Sequence, residues 1–65
     1  MRFVTYLNVR QAWGVLDTKN LIICPFNYRL MVQAEAVARD FNEGSDNPAN
    51  YGWDNLDGTD TKFVD

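Results

Sequence analysis

The chain has 65 residues and can hold one domain at most. Its 46% hydrophobic content, with two Trp, three Tyr and four Phe, supplies a real core and excludes wholesale disorder. The net charge of −3 argues against direct binding to a nucleic-acid backbone, which needs clustered Lys and Arg. The imbalance is local: residues 1–44 carry five basic and four acidic side chains, whereas residues 45–65 carry five Asp against one Lys.

The single cysteine, Cys24, excludes an internal disulfide framework and fits a reducing cytoplasm. Met1–Val9 does not read as a secretory leader. No stretch approaches the roughly 20 apolar residues of a membrane span. The expectation is a cytoplasmic protein without a membrane partner.

Met1 to Val9 is rich in aromatic and β-branched residues. Phe3, Thr5 and Leu7 share one face, and Val4, Tyr6 and Asn8 the other. Apolar groups on both faces point to a strand covered on two sides, as at the centre of a small sheet. Ala12–Leu16 reads as a second strand. Asp17-Thr18-Lys19-Asn20 has turn chemistry, and Leu21–Cys24 reads as a third strand, so the two runs form a hairpin. Gly14 marks a bulge or a close contact in its strand.

The clearest helix pattern spans 27–43. Leu30, Ala34, Val37, Ala38 and Phe41 form one stripe of a 3.6-residue repeat. Asn27 suits the N-cap and Gly44 the left-handed stop. Phe26 is placed to staple onto Met31. A helix of roughly 15 residues is marginal alone in water, so its stripe must face the strands. The expected fold is α+β: a small antiparallel sheet of three to four strands packed against one amphipathic helix.

Residues 1–44 form the body of this reading, and 45–65 an acidic, aromatic C-terminal segment of the same domain. Ser45–Ala49 is turn and linker chemistry. Asp57-Gly58 suits a type I′ turn, which would close a hairpin with Trp53 facing Lys62 and Tyr51 facing Val64. The alternative is a mobile acidic tail with Trp53 and Phe63 as anchors for a partner.

Chemistry is sparse. There is no His, so the commonest general base and the usual triads are missing. Cys24 lies in an apolar strand with no imidazole to activate it, and reads as a small buried hydrophobe. Glu35 and Arg39 are spaced as a solvated surface pair. Aligning Gly58 with the sixth position of a calcium loop puts Trp53 at the first and Val64 at the last, where ligands are required. No metal, cofactor or enzymatic activity is expected.

The acidic segment has two readings. It is a solubilising polar face, or a recognition surface in which Tyr51, Trp53 and Phe63 supply contact area while Asp46, Asp54, Asp57, Asp60 and Asp65 steer toward a basic partner. Five carboxylates are few for a mimic of DNA.

The run from Trp13 to Gly44 resembles a pattern in small ββα proteins encoded by bacteriophages and related mobile elements. There a Trp/Tyr-x-Val-x-Asp-Thr hairpin is followed by Phe and an Ala-Glu-Ala-x-Ala-x-x-Phe/Leu-Asn helix. The matching residues are Trp13, Val15, Asp17, Thr18, Phe26, Ala34, Glu35, Ala36, Ala38, Phe41 and Asn42. They cover about half the chain, and the Asp-rich end has no counterpart. The resemblance implies a non-enzymatic inhibitor that binds and blocks a host protein: a CRISPR effector, another defence system or the transcription machinery. The alternative is a small structural or regulatory subunit, a homodimer in which Val4–Leu7 and Leu21–Cys24 pair across the interface.

Overall fold

The computed structural model describes residues 1–8 and 11–55, together with the backbone of Lys62–Val64. In chain order the elements are β1 (Phe3–Leu7), β2 (Trp13–Asp17), β3 (Ile22–Ile23), β4 (Phe26–Tyr28), helix α1 (Met31–Glu43), a 3-10 turn at Pro48–Asn50, β5 (Asp54–Asn55) and β6 (Lys62–Val64). The fold is α+β, with one largely antiparallel sheet packed against one helix.

Strand β2 is the hub. Along one side β1 runs antiparallel to it, from Phe3 opposite Asp17 to Leu7 opposite Trp13. The other side is shared by β3, through Leu16 opposite Ile23, and β4, through Trp13 opposite Tyr28. Beyond them β5 pairs with β3 and β6 runs parallel to β4.

Side-chain alternation sorts the sheet into two faces. Phe3, Val15 and Trp13 face the helix, where Cys24, Ala34, Ala38 and Phe41 complete the buried cluster. Val4, Tyr6, Leu16 and Ile23 fall on the opposite face by register. This corrects the expected central position of the first strand: among the described residues β1 pairs with β2 alone, although both its faces carry apolar groups.

Gly14 is explained by a close contact. A Cβ there would lie 2.7 Å from Tyr6 Cε1 and 3.0 Å from Cζ, because the Tyr6 ring folds back over its cross-strand partner. Gly14→Ala should therefore push the half-buried Tyr6 ring aside and destabilise the protein by about 0.5–1.5 kcal/mol, the cost of moving a side chain off its rotamer. Combining it with Tyr6→Ala should cost less than the sum of the two single changes. Strict additivity in urea melts would count against this contact as the cause.

The helix begins four residues later than the expected span of 27–43. Phe26–Tyr28 is a strand, Leu30 is extended at φ −113° and ψ 137°, and the first helical residue is Met31. Phe26 and Tyr28 pack against the core while Asn27, wholly buried between them, accepts a 2.9 Å bond from Asn8 Nδ2. That period-two pattern and its cross-sheet partner outweigh the capping preference of Asn27. Gln33 Oε1 instead accepts from the Leu30 N–H at 3.2 Å. The apolar stripe is consequently shorter: Ala34, Ala38 and Phe41 are buried, whereas Leu30 and Met31 are exposed. Phe26 packs edge-on to Tyr51, at 5.8 Å between ring centres, in place of the expected staple onto an exposed Met31. Gly44 ends the helix as expected, at φ 81°, with Ser45 N–H returning to Asp40 O at 2.9 Å.

The 17–20 turn forms as its residues suggest, but it also takes up Leu21. This residue stands at φ 56°, exposed, with its N–H on Asp17 O at 2.9 Å. The third strand is therefore shortened to Ile22–Ile23, and Cys24 donates its N–H to Val15 O.

Candidate functional site

The C-terminal segment is tied to the body. Asn47 accepts from Ala49 N–H and starts the Pro48–Asn50 turn. That turn lifts the chain so that Tyr51 and Trp53, two residues apart, both reach the core. Tyr51 lies 5.9 Å from the Phe41 ring, and Trp53 lies 5.5 Å from Phe41 and 5.8 Å from Phe3. Tyr51 donates its hydroxyl to Asp46 at 2.8 Å, and Trp53 donates Nε1 to Pro48 O at 2.6 Å. The bond to Asp46 is the main cause that raises the Tyr51 pKa above its ordinary value, since ionising would set two anions side by side. Burial pushes Tyr28 up to about 12 and raises Cys24, so this side of the core favours neutral groups.

The Asp57-Gly58 turn of the expected terminal hairpin lies outside the described residues, as do most of its rungs. Its two arms pair with different strands: Asp54 lies opposite Ile23 of β3, and Val64 lies parallel beside Tyr28 of β4. Asp57 and Asp60 lie outside the described residues, and Phe63 is described by its backbone alone. Among the candidate recognition residues, Tyr51 and Trp53 are half-buried parts of the aromatic core. Asp54 is half-buried at the end of the sheet, where its Oδ1 accepts from Asn55 N–H.

The sequence suggests an exposed sheet edge or helix flank as part of a binding surface, and the structure shows which edge this is. Among the described residues strand β1 is a sheet edge, and its flank runs along α1. Thr18 N–H bonds to Arg2 O and Asn8 N–H to Ala12 O, both at 2.9 Å. In an antiparallel ladder these set the alternation: residues 2, 4, 6 and 8 bond to β2, and Phe3, Thr5 and Leu7 turn their N–H and C=O outward. Asn42 of α1 closes the first of these positions as a neighbouring peptide would. It accepts from Phe3 N–H at 2.9 Å and donates to Phe3 O at 2.8 Å. Beside it lies a groove of about 540 Å³, floored by Phe3, Thr5 and Ala38 and bordered by Glu35, Arg39 and Glu43. Glu35 and Arg39 make no ion pair within 4.0 Å among the described residues, so the expected surface pair is absent. The signal for this edge in the sequence was a polar Asn42 directly after the buried Phe41, on the flank of the apolar stripe.

No protein-family model, curated protein or solved structure matches the chain. The chain is a small α+β domain in which Tyr51 and Trp53 pack on the core and, among the described residues, β1 is a sheet edge. Among the described residues no helix is long and apolar enough to cross a membrane.

Proposed function

We propose that the protein is a non-enzymatic inhibitor of the kind encoded by phages, which docks on a basic surface of a host protein and blocks it in the cytoplasm. The observation that supports this most is the anchoring of the acidic segment. Tyr51 and Trp53 fasten its start to the core, and β5 and β6 join the ends of the sheet path, so Asp46 and Asp54 are carried on the body. Carboxylates held on a scaffold bind a basic surface with less ordering cost than those on a loose tail. Host nucleases, transcription factors and CRISPR effectors present basic surfaces of this kind. Asp54, Asp57 and Asp60 supply the steering charge, with Phe63 in the same strand segment as Lys62.

The test is affinity capture from bacterial lysate at low salt. A single stoichiometric host protein should be retained, and it should elute as salt rises from about 0.05 to 0.5 M, because surface attraction is screened. Asp57→Asn/Asp60→Asn should weaken capture while leaving the circular dichroism spectrum unchanged. Trp53→Ala is a poor probe, since it removes a core contact. Failure to retain any stoichiometric protein, or retention indifferent to salt and to both aspartates, would defeat the reading.

A further inference from the structure

We propose that β1 pairs with β1 of a second copy of this chain, so that the sheet runs continuously through a two-fold dimer. This does not depend on the host-binding reading, which uses the opposite end of the chain.

The edge itself specifies the occupant. Asn42 fills the outward position at Phe3, leaving Thr5 and Leu7 as the outward positions of β1. Two open positions separated by one residue are self-complementary in an antiparallel ladder. Thr5 of one copy meets Leu7 of the other, and a second pair follows from the symmetry, giving four main-chain hydrogen bonds around a central Tyr6 pair. A register centred on Thr5 would bring Leu7 opposite Phe3, where the Asn42 carboxamide already sits. The central crossing is unobstructed, because the Tyr6 ring leans over Gly14 and away from the edge.

Side chains favour the same register. Leu7 is 56% exposed although it shares the helix-side face with Phe3 and Thr5. In the dimer each Leu7 lies beside the partner's Thr5, over the groove floored by Thr5 and Ala38. Met31, 44% exposed, falls on the helical stripe of the groove residues Glu35, Ala38 and Asn42. One pairing thus covers an apolar edge residue and satisfies a bare ladder, the two features that otherwise invite uncontrolled strand addition.

Sedimentation equilibrium on the full chain over about 1–200 μM tests this. The expected mass rises toward twice 7.5 kDa with concentration, and the Thr5 and Leu7 amides become slow to exchange in step with it. Leu7→Lys should remain a folded monomer by mass and circular dichroism. Thr5→Pro deletes an outward N–H that β2 does not use, and should also be monomeric. If Thr5→Pro fails to fold, Leu7→Lys alone decides. A chain that stays at 7.5 kDa throughout, or a dimer that survives Leu7→Lys with both amides still exchanging rapidly, overturns the proposal. So does protection of these amides that appears only when a different protein is added.

Discussion

Phe41→Ala should leave no cooperative unfolding transition. Phe41 is 5% exposed at the centre of an aromatic group, with ring centres 5.3 Å from Phe3, 5.9 Å from Tyr51 and 5.5 Å from Trp53. Truncating a buried Phe costs about 3–5 kcal/mol, through lost transfer energy and the cavity left behind. A core of this size rarely provides more than about 3–5 kcal/mol of net stability. The change therefore consumes the whole margin. It also removes the surface on which Tyr51 and Trp53 rest, so the C-terminal segment should detach with the helix. Phe41→Leu keeps most of the volume and should cost less than about 1.5 kcal/mol. Urea melts followed by tryptophan fluorescence and far-ultraviolet circular dichroism separate the cases. If Phe41→Ala still melts cooperatively, with a loss below about 1 kcal/mol, the aromatic cluster is not what holds the two layers together.

The legible part of the fold follows from patterns that local chemistry enforces. Ala34, Ala38 and Phe41 lie on one stripe because only a helix brings such spacings to one side, and Gly44 ends it because only glycine enters that conformation cheaply. The Asp17 turn was equally plain. The start of the helix was not, since Asn27 is as good an N-cap as a strand residue and only its partner Asn8, nineteen positions away, decides. Strands of two or three residues carry almost no periodicity, so β5 and β6 could not be assigned to β3 and β4 from the chain alone.

The candidate sites show the same division. Aromatic content marked Tyr51 and Trp53, but composition does not distinguish a residue that anchors a segment from one that greets a partner. Asn42 and Asp17 have visible work inside this chain: the first closes part of the β1 edge, and the second organises a turn. The bare edge at Thr5 and Leu7 required the ladder alternation, which depends on register and so on three dimensions.

Asp17 carries the second large effect. It is 2% exposed at the end of β2 and serves four donors: Arg2 Nε at 2.9 Å and Nη2 at 2.8 Å, Lys19 N–H at 3.0 Å and Asn20 Nδ2 at 3.2 Å. The Arg2 guanidinium, itself stacked 4.9 Å from the Phe3 ring centre, is the main cause that lowers the Asp17 pKa below its ordinary value. Arg2 is 42% exposed, so water and salt screen the charge from one side. The pair should still exceed an ordinary surface bridge, because its geometry is bidentate and its carboxylate is buried. Asp17→Ala should cost about 2 kcal/mol, the scale of hydrogen bonds to a charged group. Asp17→Asn, which keeps one acceptor and the shape, should cost less. The pH dependence separates charge from shape. A carboxylate whose pKa is lower folded than unfolded stabilises fully above the unfolded value, near 3.9, and this contribution disappears as pH falls through the folded value. The stability difference between wild type and Asp17→Asn should thus be constant near neutrality and shrink below about pH 4, where the other carboxylates titrate in both proteins and cancel. A difference that persists unchanged at about pH 2.5 would mean that Asp17 acts through its shape and neutral hydrogen bonds, and that the Arg2 bridge joining the chain's start to the central hairpin adds nothing.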